Sequence, residues 1–557
     1  MKNLKPMKWI RDNAKNERAK MWILIVSNII FSLLSVAFAL SVKVIIDGAT
    51  NADKIVGKTQ LIYGAVLIFI IVVLQFAFRI ITNYLSEHIK GRLEVSIRTR
   101  LYNSILSKKY QKITAYHSGE LMTRLNSDVS VVADGYTGIV PNLVAALARL
   151  ICAIVAIILL QPIFATVFVV AGILVFATLT LMRSKLKSFH KDVQNSGAKV
   201  HSYMQESIEN VLAIKGFSVN DKMSYNAINL QKENFKMKMK RAKYSVGGHA
   251  IYNMIFSLGY ILALVYGGYL IYAGALTYGT LSAILQLVNN VQVPFASLSN
   301  VFPRYYSMIA SAERIIEIEV MENEKELLPE KTINKFKKFN KIVANDISFS
   351  YEEDSVLSGA SLTVNRGDFV MIKGRSGIGK STFLKLLLGV YQLKEGNINA
   401  EANGKTCEIS EQTRSLFSYV PQQNLLFSGT VLENVTFISG KVDDEKLKQA
   451  LDISCVSDFI DDLPDGINTK VGENGLGLSE GQIQRIAIAR ALLNPAPVLL
   501  LDESTSALDG NTERKLLSNL KTLGDVTVII VSHKNAAKEI CNRIIKIENK
   551  KFKEVIA

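Results

Sequence analysis

Six stretches of the chain, at about 21–46, 61–84, 138–160, 163–182, 250–273 and 279–303, are nearly unbroken apolar runs. Each approaches or exceeds the roughly 20 residues a helix needs to cross a bilayer's hydrocarbon. The joints between them alternate in length. Asp47 to Lys58, Gln161-Pro162 and Gly274 to Gly279 are short; the other two connections are long and patterned as helices. Residues 183–249 carry Arg183, Lys185, Lys187, Lys191, Lys236, Lys238, Lys240, Arg241 and Lys243 among fewer acids. Excess Lys and Arg marks the cytoplasmic side. The pattern therefore predicts both termini and both long connections in the cytoplasm, with the spans running on as helices beyond the membrane. After about residue 320 the pattern changes to strand-length apolar runs such as Val526–Val531, interleaved with amphipathic helices, as in a soluble α/β domain.

Composition sharpens this picture. A chain of 557 residues is too long for one core, and its mean hydropathy is positive. The formal charge of +16 fits cytoplasmic loops better than nucleic acid, because no basic patch interleaved with aromatics accompanies it. Cys152, Cys407, Cys455 and Cys541 are scattered without C-x-x-C spacing, which argues against a disulfide framework or zinc site. The run from Met21 is too long for a signal-peptide core and reads as a retained span. The expected boundaries are a 1–20 cytoplasmic or elbow segment, a 21–318 transmembrane domain, a 319–341 linker and a 342–557 soluble domain.

Charges at membrane depth are costly, and so are leads to function. Arg149 falls near the middle of the third span, Arg79 towards the cytoplasmic end of the second, Lys43 towards the outer end of the first and Arg304 at the end of the sixth. Snorkelling to the interface accounts for Lys43 and Arg304. Arg149 lies too deep to reach water easily, and with Arg79 it is a candidate cavity residue for an anionic or phosphate-bearing amphiphile. Gln286, Asn289, Asn290 and Gln292 either line the same cavity or bond between helices.

The soluble half carries the chemistry. Gly374-Arg375-Ser376-Gly377-Ile378-Gly379-Lys380-Ser381-Thr382 fits G-x-x-x-x-G-K-[ST] between a predicted strand and a predicted helix. In that context backbone N–H groups cradle phosphates, Lys380 reaches the β/γ-phosphates and Ser381 ligates Mg²⁺. Tyr351 is placed to stack on adenine, and Gln422, after Tyr419-Val420-Pro421, to reach Mg²⁺ and the attacking water. Leu478-Ser479-Glu480-Gly481-Gln482 precedes a helix. The apolar strand Val498–Leu501 ends in Asp502, expected to hold Mg²⁺ through water, and Glu503, the expected general base. Ser506-Ala507-Leu508-Asp509 follows, and His533 comes after a further strand.

These motifs, in this order, resemble the ATP-binding cassette (ABC) family. With six preceding spans the chain resembles its exporter-type half-transporters over nearly its whole length. The fold this implies is an α-helical membrane domain, six transmembrane helices extending into the cytoplasm, followed by an α/β P-loop ATPase domain of ABC type. The resemblance also implies a head-to-tail dimer, in which ATP on Gly374–Thr382 of one chain is capped by Ser479, Gly481 and Gln482 of the other, with Asp509 in the D-loop. It implies that segments around 116–125 and 206–217 contain the helices that touch the nucleotide domains, and that Glu473 helps relay that contact. Glu480 departs from the commonest signature, which has glycine there. Glu503 and His533 are both present, so the chain's own site is expected to hydrolyse ATP with Glu503, His533 and Gln422. A homodimer is favoured and a heterodimer allowed.

The expected function is ATP-driven export or flipping of an amphipathic substrate, a lipid, drug or peptide, across the cytoplasmic membrane by alternating access. The cofactors are ATP and Mg²⁺. An ATP-gated channel or sensor on the same scaffold is the alternative.

Overall fold

A computed structural model describes residues 5–351, 353–423, 426–437, 440, 442–472, 475, 477–494 and 496–555, apart from the side chains at 176, 179, 183, 296–300 and 302. Helices α1 (Pro6–Asn13), α2 (Arg18–Ala49) and α3 (Lys54–Ser107) lead to two short helices, α4 (Tyr110–Ile113) and α5 (Ser118–Thr123). A π-helical turn, Arg124–Asp128, joins α5 to α6 (Val129–Leu160). Then come α7 (Pro162–Glu209), α8 (Val211–Gly216), α9 (Asn220–Tyr272) and α10 (Tyr278–Val320). The chain divides into two compact units: Met1–Leu106 with Ser118–Val320, and Ser107–His117 with Met321–Ala557.

In the first unit α10 packs against α6 and α2, and α7 against α9. Among the described residues, α2, α3, α6, α7 and α9 are long and apolar enough to cross a membrane. The sixth expected stretch lies in α10, which is not among these five; its amides at Gln286, Asn289, Asn290 and Gln292 dilute the apolar run. At 1.5 Å per residue, α3, α7 and α9 are each about 70–80 Å long, more than twice a hydrocarbon core of about 30 Å. The surplus is the predicted extension. Close approaches set the packing: a Cβ on Gly135 would lie 2.6 Å from Met308 Sδ, one on Gly64 2.6 Å from Ile45 Cγ1, and one on Gly57 2.6 Å from the Gly48 carbonyl oxygen. Lipid gives helices no hydrophobic reason to associate, so small residues that admit tight contact take over that work.

The π-turn is fixed by charge. Buried Arg124 donates to the Arg314 carbonyl oxygen at 2.7 Å and to Glu317 at 2.8 Å, and buried Asp128 accepts from Ser311 at 2.9 Å and from Arg314. Lys43 is not simply a snorkelling side chain. It pairs with Asp47 at 2.8 Å, and Asp47 accepts from the Gly279 N–H at 3.1 Å, capping α10. Asn290 accepts from Ser35 at 2.8 Å, so at that position the amide bonds between helices.

The second unit begins with α4 and resumes at α11 (Glu330–Phe336). Strands β1 (Lys341–Tyr351), β2 (Asp354–Asn365) and β3 (Phe369–Lys373) precede α12 (Lys380–Leu387), β4 (Glu395–Ala402), β5 (Lys405–Glu408) and β6 (Phe417–Val420). Next are β7 (Gly429–Thr430), α13 (Val431–Val435), α14 (Asp444–Ile453), β8 (Lys470–Val471), α15 (Glu480–Leu492) and β9 (Val498–Asp502). The chain ends with α16 (Gly510–Lys521), β10 (Thr527–Val531), α17 (Asn535–Ile540), β11 (Arg543–Glu548) and β12 (Lys551–Val555). One sheet is antiparallel, in the order β2-β1-β4-β5; a second runs β12-β11-β3-β10-β9-β6, parallel except for β12; β7 and β8 form a short antiparallel pair. Every residue of β9 and β10 is buried, as expected of parallel strands covered on both faces. The carboxyl ends of β3, β9 and β10 lie side by side, and the loops that leave them build the site.

Candidate active site

The phosphate-loop sequence leaves β3 and enters α12. Gly379 has φ +110°, and a Cβ there would meet Val356 Cγ1 at 2.4 Å, so only glycine fits. Arg375, Ser376 and Gly377 are exposed and Ile378 half-buried. Lys380 is buried and folds back over the loop, donating to the carbonyl oxygens of Gly374 at 3.0 Å and Arg375 at 3.1 Å. Ser381 Oγ donates to Asp502 Oδ1 at 2.7 Å. Asp502 ends β9 with 2 % of its surface exposed. Burial pushes its carboxyl above the usual range, and the bonds from Ser381 and Tyr419 offset part of that.

Glu503 is where the expected catalytic residues meet. Its φ of +49° is rare for a residue with a Cβ, and its N–H is tied to the Val531 carbonyl oxygen at 3.1 Å. Gln422 Nε2 donates to Glu503 Oε2 at 2.9 Å. His533 Nε2 is 3.7 Å and Lys380 Nζ 3.8 Å from Glu503 Oε1. Three chain segments far apart in sequence thus surround one carboxylate.

Tyr351 sits at the edge of the loop. Its hydroxyl is 3.2 Å from Thr382 Oγ1, and its ring meets Phe349 and Tyr391 edge-on at 4.9 and 5.3 Å. With 38 % of its surface exposed it keeps room for a base. Ser479 caps α15 in a reciprocal box with Gln482, at 2.8 and 3.3 Å. Glu480 occupies the first turn of that helix, where an acid suits the helix dipole. A Cβ on Gly481 would lie 3.2 Å from the Ala507 carbonyl oxygen, so this glycine admits the following loop closely. Asp509 caps α16, accepting from Asn511 and Thr512 N–H at 3.0 Å each; its bonds from Thr512 hold its carboxyl below the usual range. Among the described residues no hydrogen bond joins Ser479, Gly481 or Gln482 to Gly374–Thr382 of the same chain. Glu473 lies outside the described residues.

Sequence reading missed three polar residues here. Gln484, fully buried, donates to Ser506 Oγ at 3.1 Å and accepts from Ala507 N–H at 3.1 Å. Lys534 Nζ donates to the Thr505 carbonyl oxygen at 3.0 Å and to that of Leu508. Tyr419 OH donates to Asp502 Oδ2 at 3.1 Å, and burial, then Asp502, hold that phenol far above its ordinary value. The only linear signal was adjacency, since each stands within three residues of a motif. In the other unit, Arg149 is half-buried in α6 with no ion pair or hydrogen bond among the described residues, and Arg79 is exposed on α3. Among the described residues no hydrogen bond or ion pair brings the two together.

Family models match both halves: the ABC transporter transmembrane region over residues 21–295 and the ABC transporter model over 357–506. The chain belongs to the ABC transporter family. Its fused membrane and ATPase halves make it an exporter-type half-transporter that couples ATP hydrolysis to transport. It is 26 % identical over 525 residues to a "Probable ABC transporter ATP-binding/permease protein" of Haemophilus influenzae, covering 92 % of this chain and 94 % of the relative. A "Putative multidrug export ATP-binding/permease protein" of Staphylococcus aureus is 26 % identical over 550 residues, 96 % of this chain and 94 % of the relative. A solved bacterial Atm1-family ABC exporter with ATP bound has the same fold, with a TM-score of 0.82 at 21 % identity over 97 % of this chain and 95 % of that one.

The oxygen donors at Asp502 fit Mg²⁺: the Ser381 hydroxyl and the buried carboxylate are hard ligands of the kind that ion takes, together with phosphates and water, and Gln422, bonded to the adjacent Glu503, offers an amide oxygen of the same kind.

Proposed function

We propose that this ABC transporter moves an amphipathic, anionic substrate across the cytoplasmic membrane by alternating access, working as a homodimer with both termini in the cytoplasm. The transmembrane domain is assigned to 21–318 and the nucleotide-binding domain to 342–557. The observation that carries the hydrolytic part is Glu503, with Gln422 at 2.9 Å, His533 at 3.7 Å and Lys380 at 3.8 Å. Mg²⁺ bound with ATP by Ser381, Gln422 and Asp502 supplies charge neutralisation at the phosphate oxygens. Glu503 takes the proton of the attacking water while Gln422 orients it, and His533 holds the far side of the site. Lys380 leaves the loop carbonyls for the phosphates.

The dimer reading is supported by the separation of the two half-sites. Ser479, Gly481 and Gln482 are ordered by their own helix and loop yet make no hydrogen bond to their own phosphate loop, so capping of ATP falls to a second copy. Helix α8 supports it too, because Leu212 within it and Phe217 at its end are 84 % and 80 % exposed in the single chain. ATP shifts the equilibrium only as far as it prefers the closed dimer. An anionic cargo is supported by Arg149, a half-buried cation without a partner among the described residues, and an amphipathic one by the "multidrug export" in the Staphylococcus aureus relative's name.

The test is ATP turnover by the chain purified alone in lipid, beside Glu503→Gln. Turnover abolished by the substitution supports a sufficient homodimer; no turnover despite ATP binding would require a second gene product. Stimulation by anionic amphiphiles that Arg149→Ala leaves intact would overturn the cargo assignment. Ion conductance without stoichiometric turnover would favour a gated channel.

A further inference from the structure

Among the described residues the Asp502 carboxylate accepts from the Tyr419 hydroxyl at Oδ2 and from Ser381 at Oδ1. If Asp502 holds Mg²⁺ as proposed above, the Ser381 hydroxyl turns towards the ion, and Tyr419 becomes the bond that keeps the carboxylate in place. Tyr419 lies in β6, the strand beside β9, in register with Leu500, so its backbone is fixed by the sheet that positions Asp502. On its other side lies a cavity of about 750 Å³, lined by Tyr419, Phe417, Lys385, Glu324, Arg414 and Tyr110. Tyr110 belongs to α4, which is part of the second unit although it connects two helices of the first. Its ring also meets Tyr391 edge-on at 5.9 Å, and Tyr391 meets Tyr351 at 5.3 Å. Helix α4 therefore reaches the base end through Tyr391 and shares with Tyr419 a cavity next to the metal end.

We infer that Tyr419 is a positioning residue for the metal-binding carboxylate of Asp502, and that α4 acts on that carboxylate through Tyr110 and the cavity the two tyrosines share. A donor that orients a metal ligand, when removed, typically costs ten- to a hundredfold in metal affinity. Tyr419→Phe deletes the donor and keeps the ring, so packing stays. Sequence reading could not reach this, because a tyrosine before Val-Pro-Gln is an ordinary strand residue until its neighbour is known.

The experiment uses the full chain in lipid. Mn²⁺ binding in the presence of ATP is followed by electron paramagnetic resonance, and ATP binding is measured separately in excess chelator. Tyr419→Phe is expected to weaken Mn²⁺ about tenfold or more and to leave chelator-phase ATP binding unchanged. A shift under twofold overturns the assignment. Asp502→Asn separates the two layers: if it too leaves Mn²⁺ affinity unmoved, the metal-site reading itself has failed. Tyr110→Ala is expected to shift Mn²⁺ affinity the same way but less, and to add nothing to Tyr419→Phe. Additive effects would overturn the link to α4, since residues acting through one contact are not additive.

Discussion

The two units solve opposite solvation problems. In the ATPase unit apolar residues go inside, as in β9 and β10, and polar groups converge on one buried point where Ser381, Tyr419 and Asp502 meet. In the membrane unit only 11–38 % of each of the five most apolar helix windows is buried, and apolar side chains face outward. There the tight contacts come from glycines, and two charged clusters tie helices together: Lys43–Asp47 near one end of α2, and Arg124, Asp128 and Arg314 beyond the start of α6. The lesson is that a buried polar cluster marks function in the first setting and only helix docking in the second. Arg149, half-buried within α6 and with no ion pair or hydrogen bond among the described residues, is the exception that motivates the cargo proposal.

The largest effect expected lies in the ATPase unit. Glu503→Gln should lower turnover by about 10²- to 10⁴-fold, the usual worth of a positioned base, with ATP binding retained; a steady-state assay checks it, and a smaller loss would mean the convergence on Glu503 is not catalytic. Next, Gly135→Leu forces side-chain atoms where Met308 already lies, and should cost about 1–3 kcal/mol of stability. Thermal unfolding of the full chain in lipid reads this out, and an unchanged midpoint would break the claim that glycine contacts hold α6 to α10. Asp128→Asn should cost less, about 1–2 kcal/mol, because Arg314 is half exposed and screened by solvent; protease sensitivity near the π-turn should rise with it.

The smallest effect concerns pH. Asp502 is raised by burial, so the folded metal-free protein binds its proton more tightly than the unfolded chain does. That costs stability as pH rises through the unfolded value near 3.9 and the higher folded value, and the cost is fully present above both. Asp502→Asn should therefore raise the melting temperature of the metal-free protein at pH 7, with the gain shrinking towards pH 4. A constant difference across that range would assign the change to packing instead.

Much of this was legible in the linear chain for a physical reason. A phosphate loop depends on backbone dihedrals that local residues impose, so Gly379 and Lys380 could be read directly, as could apolar runs long enough to span a bilayer. Lys43 was misread as free to snorkel because its partner Asp47, one turn on, falls in what looks like a loop. Of the expected 116–125 contact segment, only Tyr116 and His117 belong to the ATPase unit, which begins at Ser107; helical periodicity continues through that point and gives no sign of the change.

By itself the sequence determined the spans, the order of the motifs and the residues that local geometry demands, because each depends on neighbours a few positions away. Only the tertiary structure decided that Gln422, His533 and Lys380 surround Glu503, that Tyr419 holds Asp502, and that Asp47 caps α10. Those contacts join residues 81, 30, 123, 83 and 232 positions apart. They exist because a parallel sheet aligns the ends of separate strands and because close-packed helices bring distant termini together.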